Sequence, residues 1–270
     1  MHDPKLADLA ASLPASVRIE SPAEHVLLVW LARAEKRNAL DDITVLGLAA
    51  VFEALPEGTR AVILAGEGEH FSAGLDLSEL SSRDIPSGIE HSRLWHRIFE
   101  TIQFGSVPVI AVLKGAVIGG GLELACAAHI RVAEKSTFYA LPEGQRGIFV
   151  GGGGSVRLTR LIGVSRMMDM MLTGRSHDAD TGQQMGISHY VVDAGAGLQK
   201  ALEIAAKVSV NAPMTNFAVL HALPRIAEAD PATGYLTEAL MASIAQADEE
   251  AKRRIRDFLA KRAAKVAAPK

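Results

Sequence analysis

Two glutamates and two glycine-rich stretches are the parts of this sequence best suited to chemistry. Glu123 lies in Gly119-Gly-Gly-Leu-Glu-Leu-Ala125, just after the apolar run Val109 to Leu113. Glu143 follows Pro142 at the end of a predicted strand and precedes another glycine-rich loop, Gly147 to Ser155. A carboxylate in apolar surroundings costs desolvation energy unless it is paired or protonated. Two that converge on one water have their protonation states split, which gives one base and one acid. The glycines cluster in Gly66-Glu-Gly-Glu-His-Phe-Ser-Ala-Gly-Leu-Asp-Leu-Ser-Glu-Leu80 and in Lys114-Gly-Ala-Val-Ile-Gly-Gly-Gly-Leu-Glu-Leu-Ala125. Each stretch puts glycine where a strand gives way to another element, so a ligand can approach the backbone closely. Gly119 to Gly121 also open a helix, where N–H groups are free and the dipole is positive. Such donors suit a developing oxyanion. Plainer alternatives stand beside each reading: tight packing turns for the glycines, charge complementation of a helix start for Glu123, a solvated turn for Glu143.

Other chemistries find little support. GxSxG and HExxH are absent, and His91 and His96 stand five apart, on different faces of a helix. The glycine runs match neither a phosphate loop nor a full dinucleotide fingerprint. The lone cysteine, Cys126, sits in the apolar stretch Leu122 to Ala128 and reads as a small buried residue in a reducing compartment. No metal site and no separate cofactor are expected. With 49% hydrophobic and 22% charged residues, the 270-residue chain can bury a sizeable core. A net charge of -3 gives no global field to draw in nucleic acid or anionic membrane. A basic stretch, Lys252-Arg-Arg-Ile-Arg256 with Lys261, Arg262 and Lys265, reads as a solvated helix face or subunit contact rather than an RNA site. The first twenty residues lack a signal-peptide pattern, and Val107 to Ile130 is too interrupted by Lys114, Glu123, His129 and glycines to span a membrane. A cytoplasmic protein with no membrane partner is expected.

The elements that position these residues alternate in the first half of the chain. Val17 to Glu20 and Val26 to Leu31 predict a hairpin around Ser21-Pro22. Asp41 and Asp42 can cap a helix running to about Leu55. Strands are predicted at Ala61 to Ala65, Val109 to Leu113, Ile130 to Ala133 and Thr137 to Leu141, with helices at Ile89 to Phe104 and Gly120 to Ala128. Beyond residue 150, helices follow one another: Ser155 to Ile162, Ser165 to Leu172, Asp178 to Met185, Leu198 to Val210, Met214 to Glu228 and Gly234 to Ala264, with one strand at Ser188 to Val192. The pattern is an α/β core with a helical C-terminal appendage. His91, Trp95, Phe99, Tyr139 and Phe149 are candidate pocket walls, with core packing as their alternative role.

Together these residues resemble the enoyl-CoA hydratase/isomerase (crotonase) family. The pieces occur in the family's order over about Val17 to Arg262: Glu35-Lys-Arg-Asn-Ala-Leu40, Phe71-Ser-Ala-Gly-Leu-Asp-Leu77, Gly119-Gly-Gly-Leu-Glu-Leu-Ala125, Leu141-Pro-Glu143 and Leu172-Thr-Gly-Arg175. The resemblance implies a right-handed spiral of ββα units over residues 1–205, with a helical trimerisation region over 206–270. It implies an acyl-CoA thioester as substrate, so that coenzyme A belongs to the substrate. It also implies a homotrimer or a dimer of trimers, and a place in fatty-acid β-oxidation. By position, the oxyanion hole is the backbone N–H pair of Leu75 and Gly120, and coenzyme A runs past Lys36, Ala73, Leu77 and Pro142. Trp95, Phe99, Tyr139 and Phe149 are candidate acyl-pocket residues. Glutamates at both catalytic positions imply hydration of a 2-enoyl-CoA, with Glu123 handling water and Glu143 the α-carbon. An isomerase, a hydroxycinnamoyl-CoA-type lyase and a non-enzymatic RNA-binding relative are the alternatives. The sequence departs from the family pattern at Ala34, His129, Gly144, Phe149-Val150-Gly151 and Arg253-Arg254. Gly144 and Phe149 are the changes expected to reshape the acyl pocket.

Overall fold

Long runs of buried aliphatic residues set the architecture. The computed structural model describes residues 4–80, 83–260 and 262. Its strands are β1 (Val17–Ala23), β2 (Val26–Leu31), β3 (Ala61–Gly66), β4 (Val109–Leu113), β5 (Ala116–Ile118), β6 (Ile130–Glu134), β7 (Phe138–Ala140), β8 (His177–Asp178) and β9 (Tyr190–Val192). In β3 and β4 every residue is buried, as expected of parallel strands covered on both faces. Among the described residues one sheet has the order β1-β2-β3-β4-β6-β9, with β1 antiparallel and the remaining neighbours parallel. A smaller sheet has the order β5-β7-β8.

The helices are α1 (Pro4–Ser12), α2 (Asp42–Glu53), α3 (Ile85–Gln103), α4 (Gly120–Ala127), α5 (Gly154–Ile162), α6 (Val164–Thr173), α7 (Ala179–Met185), α8 (Gly197–Ser209), α9 (Pro213–Phe217), α10 (Leu223–Ile226), α11 (Pro231–Ala247) and α12 (Glu249–Leu259). On one sheet face, α8 packs Ala201, Ile204 and Ala205 against Leu28, Ile63, Ile110 and Val132. The other face packs against apolar residues of α2, α3 and α4, among them Leu48, Phe99 and Leu124. Compact units divide after Ser209, one spanning 1–209 and the other 210–270.

Several boundaries differ from the sequence reading for identifiable reasons. The first hairpin turns at Glu24-His25, not at Ser21-Pro22. Pro22 is tolerated because β1 is an edge strand, and the ladder is irregular between Glu20 and Ala23. Helix α3 starts at Ile85 because the Asp84 side chain accepts the Ser87 N–H at 3.0 Å. Strand β5 is too short to leave a periodicity. The single helix expected over Met214 to Glu228 is α9 and α10 joined by a π-helical turn, Ala218–Ala222. Pro224, in the first turn of α10, has no N–H to continue the regular ladder. The last predicted helix breaks at Asp248, whose side chain caps α12 by accepting the Glu250 and Ala251 N–H groups. Lys261 and Lys265 lie outside the described residues.

Candidate active site

The first carboxylate is placed by a glycine start. Gly119 has φ +51, and its N–H donates to the Ala140 carbonyl at 3.0 Å, tying the start of α4 to the end of β7. From there α4 carries Glu123 in its first turn, 4% exposed. Glu123 Oε1 accepts two backbone N–H groups, from Gly152 at 2.9 Å and Gly154 at 2.7 Å. Burial pushes its carboxyl above the usual range, while these N–H donors and the Arg157 charge pull the other way.

The second carboxylate comes from the chain leaving β7. Glu143 is also buried, and its Oε2 has no hydrogen-bond partner among the described residues. Burial, with the Glu123 charge adding to it, pushes this carboxyl up to about 7. A Cβ on Gly119 would stand 2.5 Å from Glu143 Oε1, so that position must be glycine for the carboxylate to keep its place.

The oxyanion candidates line the same cleft. Ser72 to Asp76 is held by single-residue pairings: Ser72 N–H donates to Ala116 O at 3.0 Å, Leu40 N–H to Gly74 O at 2.8 Å, and Asp76 N–H to Leu40 O at 2.7 Å. This leaves the Leu75 N–H turned away, and it donates to no carbonyl among the described residues. Gly120 N–H, at the first turn of α4, is likewise without an intramolecular acceptor among the described residues. A Cβ placed on Gly120 lies 3.3 Å from Leu75 N, so the two donors are neighbours. Leu75, Gly120, Glu123 and Glu143 all line one cleft of ≈ 270 Å³. Donors and carboxyls sharing one cleft can hold an oxyanion while moving protons near it.

One wall of the cleft is polar and fixed. Asp42 Oδ1 accepts Trp95 Nε1–H at 2.9 Å and lies 2.9 Å from His91 Nε2, while Oδ2 pairs with Arg83 at 3.1 Å. Trp95 stacks in tilted fashion between His91 and Phe99, with centroids 5.2 and 5.6 Å away.

Over residues 22–267 the chain matches the model of the enoyl-CoA hydratase/isomerase family. It belongs to that family. The 2,3-dehydroadipyl-CoA hydratase of Escherichia coli K12 is 32% identical over 90% of this chain and 96% of its own. The short-chain-enoyl-CoA hydratase of Clostridium acetobutylicum is 33% identical over 70% of this chain and 74% of its own. A crystal structure from Rhodopseudomonas palustris CGA009, provisionally described as an enoyl-CoA hydratase, superposes with a TM-score of 0.89 at 59% identity, covering 92% of this chain and 96% of that one.

For this hydratase/isomerase fold, the structure sorts the sequence candidates. His91, Trp95 and Phe149 line the cleft with the two carboxyls. Phe99 and Tyr139 do not. Phe99 is fully buried behind Trp95, and Tyr139 is fully buried against Gly182 of α7. Gly144 does not line the cleft either: a Cβ there would run into the Met171 carbonyl of α6, so its glycine serves packing. His129 joins elements, accepting the Val109 N–H at 2.9 Å and lying 2.9 Å from the Gln103 carbonyl. Cys126 is buried in the core, and burial raises its thiol to about 11.

The candidate coenzyme A residues are not among those lining this cleft. Lys36 pairs with Asp76 at 3.2 Å, Ala73 N–H donates to Arg37 O at 2.9 Å, Leu77 is exposed, and Pro142 is half-buried beside Glu143. Sequence reading missed the Gly152 and Gly154 N–H donors, the Asp42 cluster and Arg157. Glycine count flagged the loop, but only the fold aims its amides at Glu123.

Proposed function

We propose that this protein hydrates a 2-enoyl-CoA to the 3-hydroxyacyl-CoA. The reading rests on one observation: two buried carboxyls share a cleft with a pair of free backbone N–H donors. In this scheme the thioester oxygen accepts from Leu75 and Gly120, which stabilises the enolate that forms as the β-carbon is attacked. Glu123, its Oε1 fixed by two amides, takes a proton from the attacking water. Glu143, whose carboxyl burial pushes up to about 7, delivers its proton to the α-carbon. Solvent exchange then returns the pair to its starting protonation, and the pair titrates as a unit. Hydratase names among the relatives support hydration over isomerisation.

A panel of linear, branched and aryl 2-enoyl-CoA thioesters, followed by loss of conjugated-enone absorbance, tests the proposal. Turnover of at least one member is expected. Isomerisation or retro-aldol cleavage with no hydration anywhere in the panel overturns it. A cytoplasmic location, a place in fatty-acid β-oxidation, and assembly as a trimer or dimer of trimers through residues 206–270 belong to the same proposal. Among the described residues no helix is long and apolar enough to cross a membrane.

A further inference from the structure

Arg157 is bound to the same glycine loop as Glu123, and the hydration scheme leaves it without a task. It lies on α5 and is 8% exposed. Among the described residues its hydrogen bonds go to neutral acceptors: Nε to Gln103 Oε1 at 2.7 Å and Nη1 to the Gly152 carbonyl at 3.0 Å. A guanidinium buried without a directly bonded carboxylate is costly, so its placement calls for a reason.

The loop supplies one. Gly152 is gripped on both sides, its N–H on Glu123 Oε1 at 2.9 Å and its carbonyl on Arg157 Nη1 at 3.0 Å. Gly153 adopts φ +99, and a Cβ there would collide with Arg157 Nη1. Gly154 N–H then returns to Glu123 Oε1 at 2.7 Å. Gln103, at the last turn of α3, fixes the guanidinium from behind, and its own carbonyl lies 2.9 Å from His129 Nε2. The chain of contacts runs from the sheet through α3 and α5 to one carboxylate oxygen.

We propose that Arg157 is a positioning residue for Glu123: it clamps the Gly152–Gly154 turn so that two amides converge on Oε1, and it sets a buried positive charge beside that carboxylate. The assignment rests on Glu123 being the base of the hydration proposed above. The ionisable groups that act on Arg157 are Glu100 of α3, Glu123 and Cys126 of α4, and Arg160 of α5; Glu123 in turn acts on Glu143. Cys126 stays neutral up to about 11, so the charge that responds to Arg157 near neutral pH belongs to the carboxyls.

Arg157→Met, Arg157→Lys and Gln103→Leu test this with two readouts. Isotope-edited infrared difference spectra, with Glu123→Gln as the reference, give the titration midpoint of Glu123. The pH profile of kcat on the best enoyl-CoA gives the ionisation required of the base. Arg157→Met is expected to raise both the midpoint and the acid limb by about one pH unit or more, as loss of a nearby opposite charge does. Arg157→Lys keeps the charge but cannot reach both Gln103 and Gly152, so its midpoint moves less while kcat still falls. Gln103→Leu moves both readouts upward by a smaller amount, and carries the test alone if Arg157→Met does not fold. An unchanged midpoint and acid limb in folded Arg157→Met, or in folded Gln103→Leu where the first variant is lost, overturns the proposal. A shifted midpoint in a protein that hydrates nothing removes the hydration reading and leaves the positioning role. Hydration with an unshifted midpoint does the reverse.

Discussion

The Glu143 carboxyl is pushed up to about 7 because it is buried and Glu123 adds a like charge, and among the described residues its Oε2 has no donor. If its proton is the one delivered to carbon, kcat/KM on enoyl-CoA should fall about tenfold per pH unit above about 7. A profile flat from pH 6 to 9 contradicts this role. The same shift has a stability consequence. In the unfolded chain this carboxyl titrates near 4.5, and in the folded chain at about 7. Between those values the folded state keeps a proton that the unfolded state has lost, so stability from this group is complete below about 4.5 and disappears as pH rises through about 7. The Tm of Glu143→Gln should therefore gain on wild type as pH is raised across that window, measured by scanning calorimetry. For chemistry, Glu143→Gln should lose both hydration and solvent-deuterium exchange at the α-carbon of an acyl-CoA, each by about 10²–10⁴-fold. Glu123→Ala should lose hydration and keep exchange, provided both variants fold and bind coenzyme A. Wild-type hydration by Glu123→Ala ends the two-carboxylate reading. Both glutamates could be found in the sequence because each sits in a short ordered motif. Phe99 and Tyr139 could not be separated from Trp95 and Phe149, since an aromatic residue at helical or strand spacing looks the same facing a cleft or a core.

At the scale of elements, the oxyanion candidates depend on how closely α4 approaches the Ser72–Asp76 loop. A Cβ on Gly120 meets Trp95 Cζ3 at 3.1 Å and Leu75 N at 3.3 Å. Gly120→Val should crowd both donors and lower turnover by roughly 10²–10³, the cost of losing one oxyanion donor. Full activity in a folded variant removes Gly120 from the assignment. Helix α12 bears on the RNA-binding alternative. Its basic residues are largely paired along the helix: Lys252 with Glu249 at 2.7 Å, Arg253 with Asp257 at 3.8 Å, and Arg254 with Glu250. Mobility shifts with single-stranded RNA are expected to be absent at physiological salt, and a salt-dependent shift there argues for the alternative. Strands β3 and β4 could be read from the sequence because burial on both faces demands continuous aliphatic runs. The π-helical turn and the Asp248 break could not, because the apolar spacing runs through both. The glycine clamp on Glu123 was hidden for another reason: its donors are amides, which leave no residue-type signature.

For the whole molecule, the prediction concerns assembly. Helix α11 leaves Tyr235, Leu236, Leu240 and Ile244 largely exposed, and α6 does the same with Val164, Met168 and Leu172. Apolar residues repeated along a helix face in this way mark an interface more often than a bare surface. Light scattering at micromolar concentration should give a mass of three or six chains of 28.6 kDa, and a monodisperse monomer refutes the trimer proposal. The alternation of strands and helices announced an α/β core, but the spiral did not follow from it. Which strand joins which sheet depends on the three-residue β5 and the two-residue β8, too short to carry a pattern of their own.

The amides of Leu75 and Gly120, unpaired among the described residues, sit in a fold whose neighbouring N–H groups at Ser72, Asp76, Ile118, Gly119 and Glu123 are all bonded. In hydrogen-exchange terms this makes the site two fast-exchanging protons set among protected ones. A thioester or its enolate mimic should slow those two and leave their neighbours almost unchanged. Occupancy of the oxyanion position could then be followed amide by amide, in a protein that is not turning over.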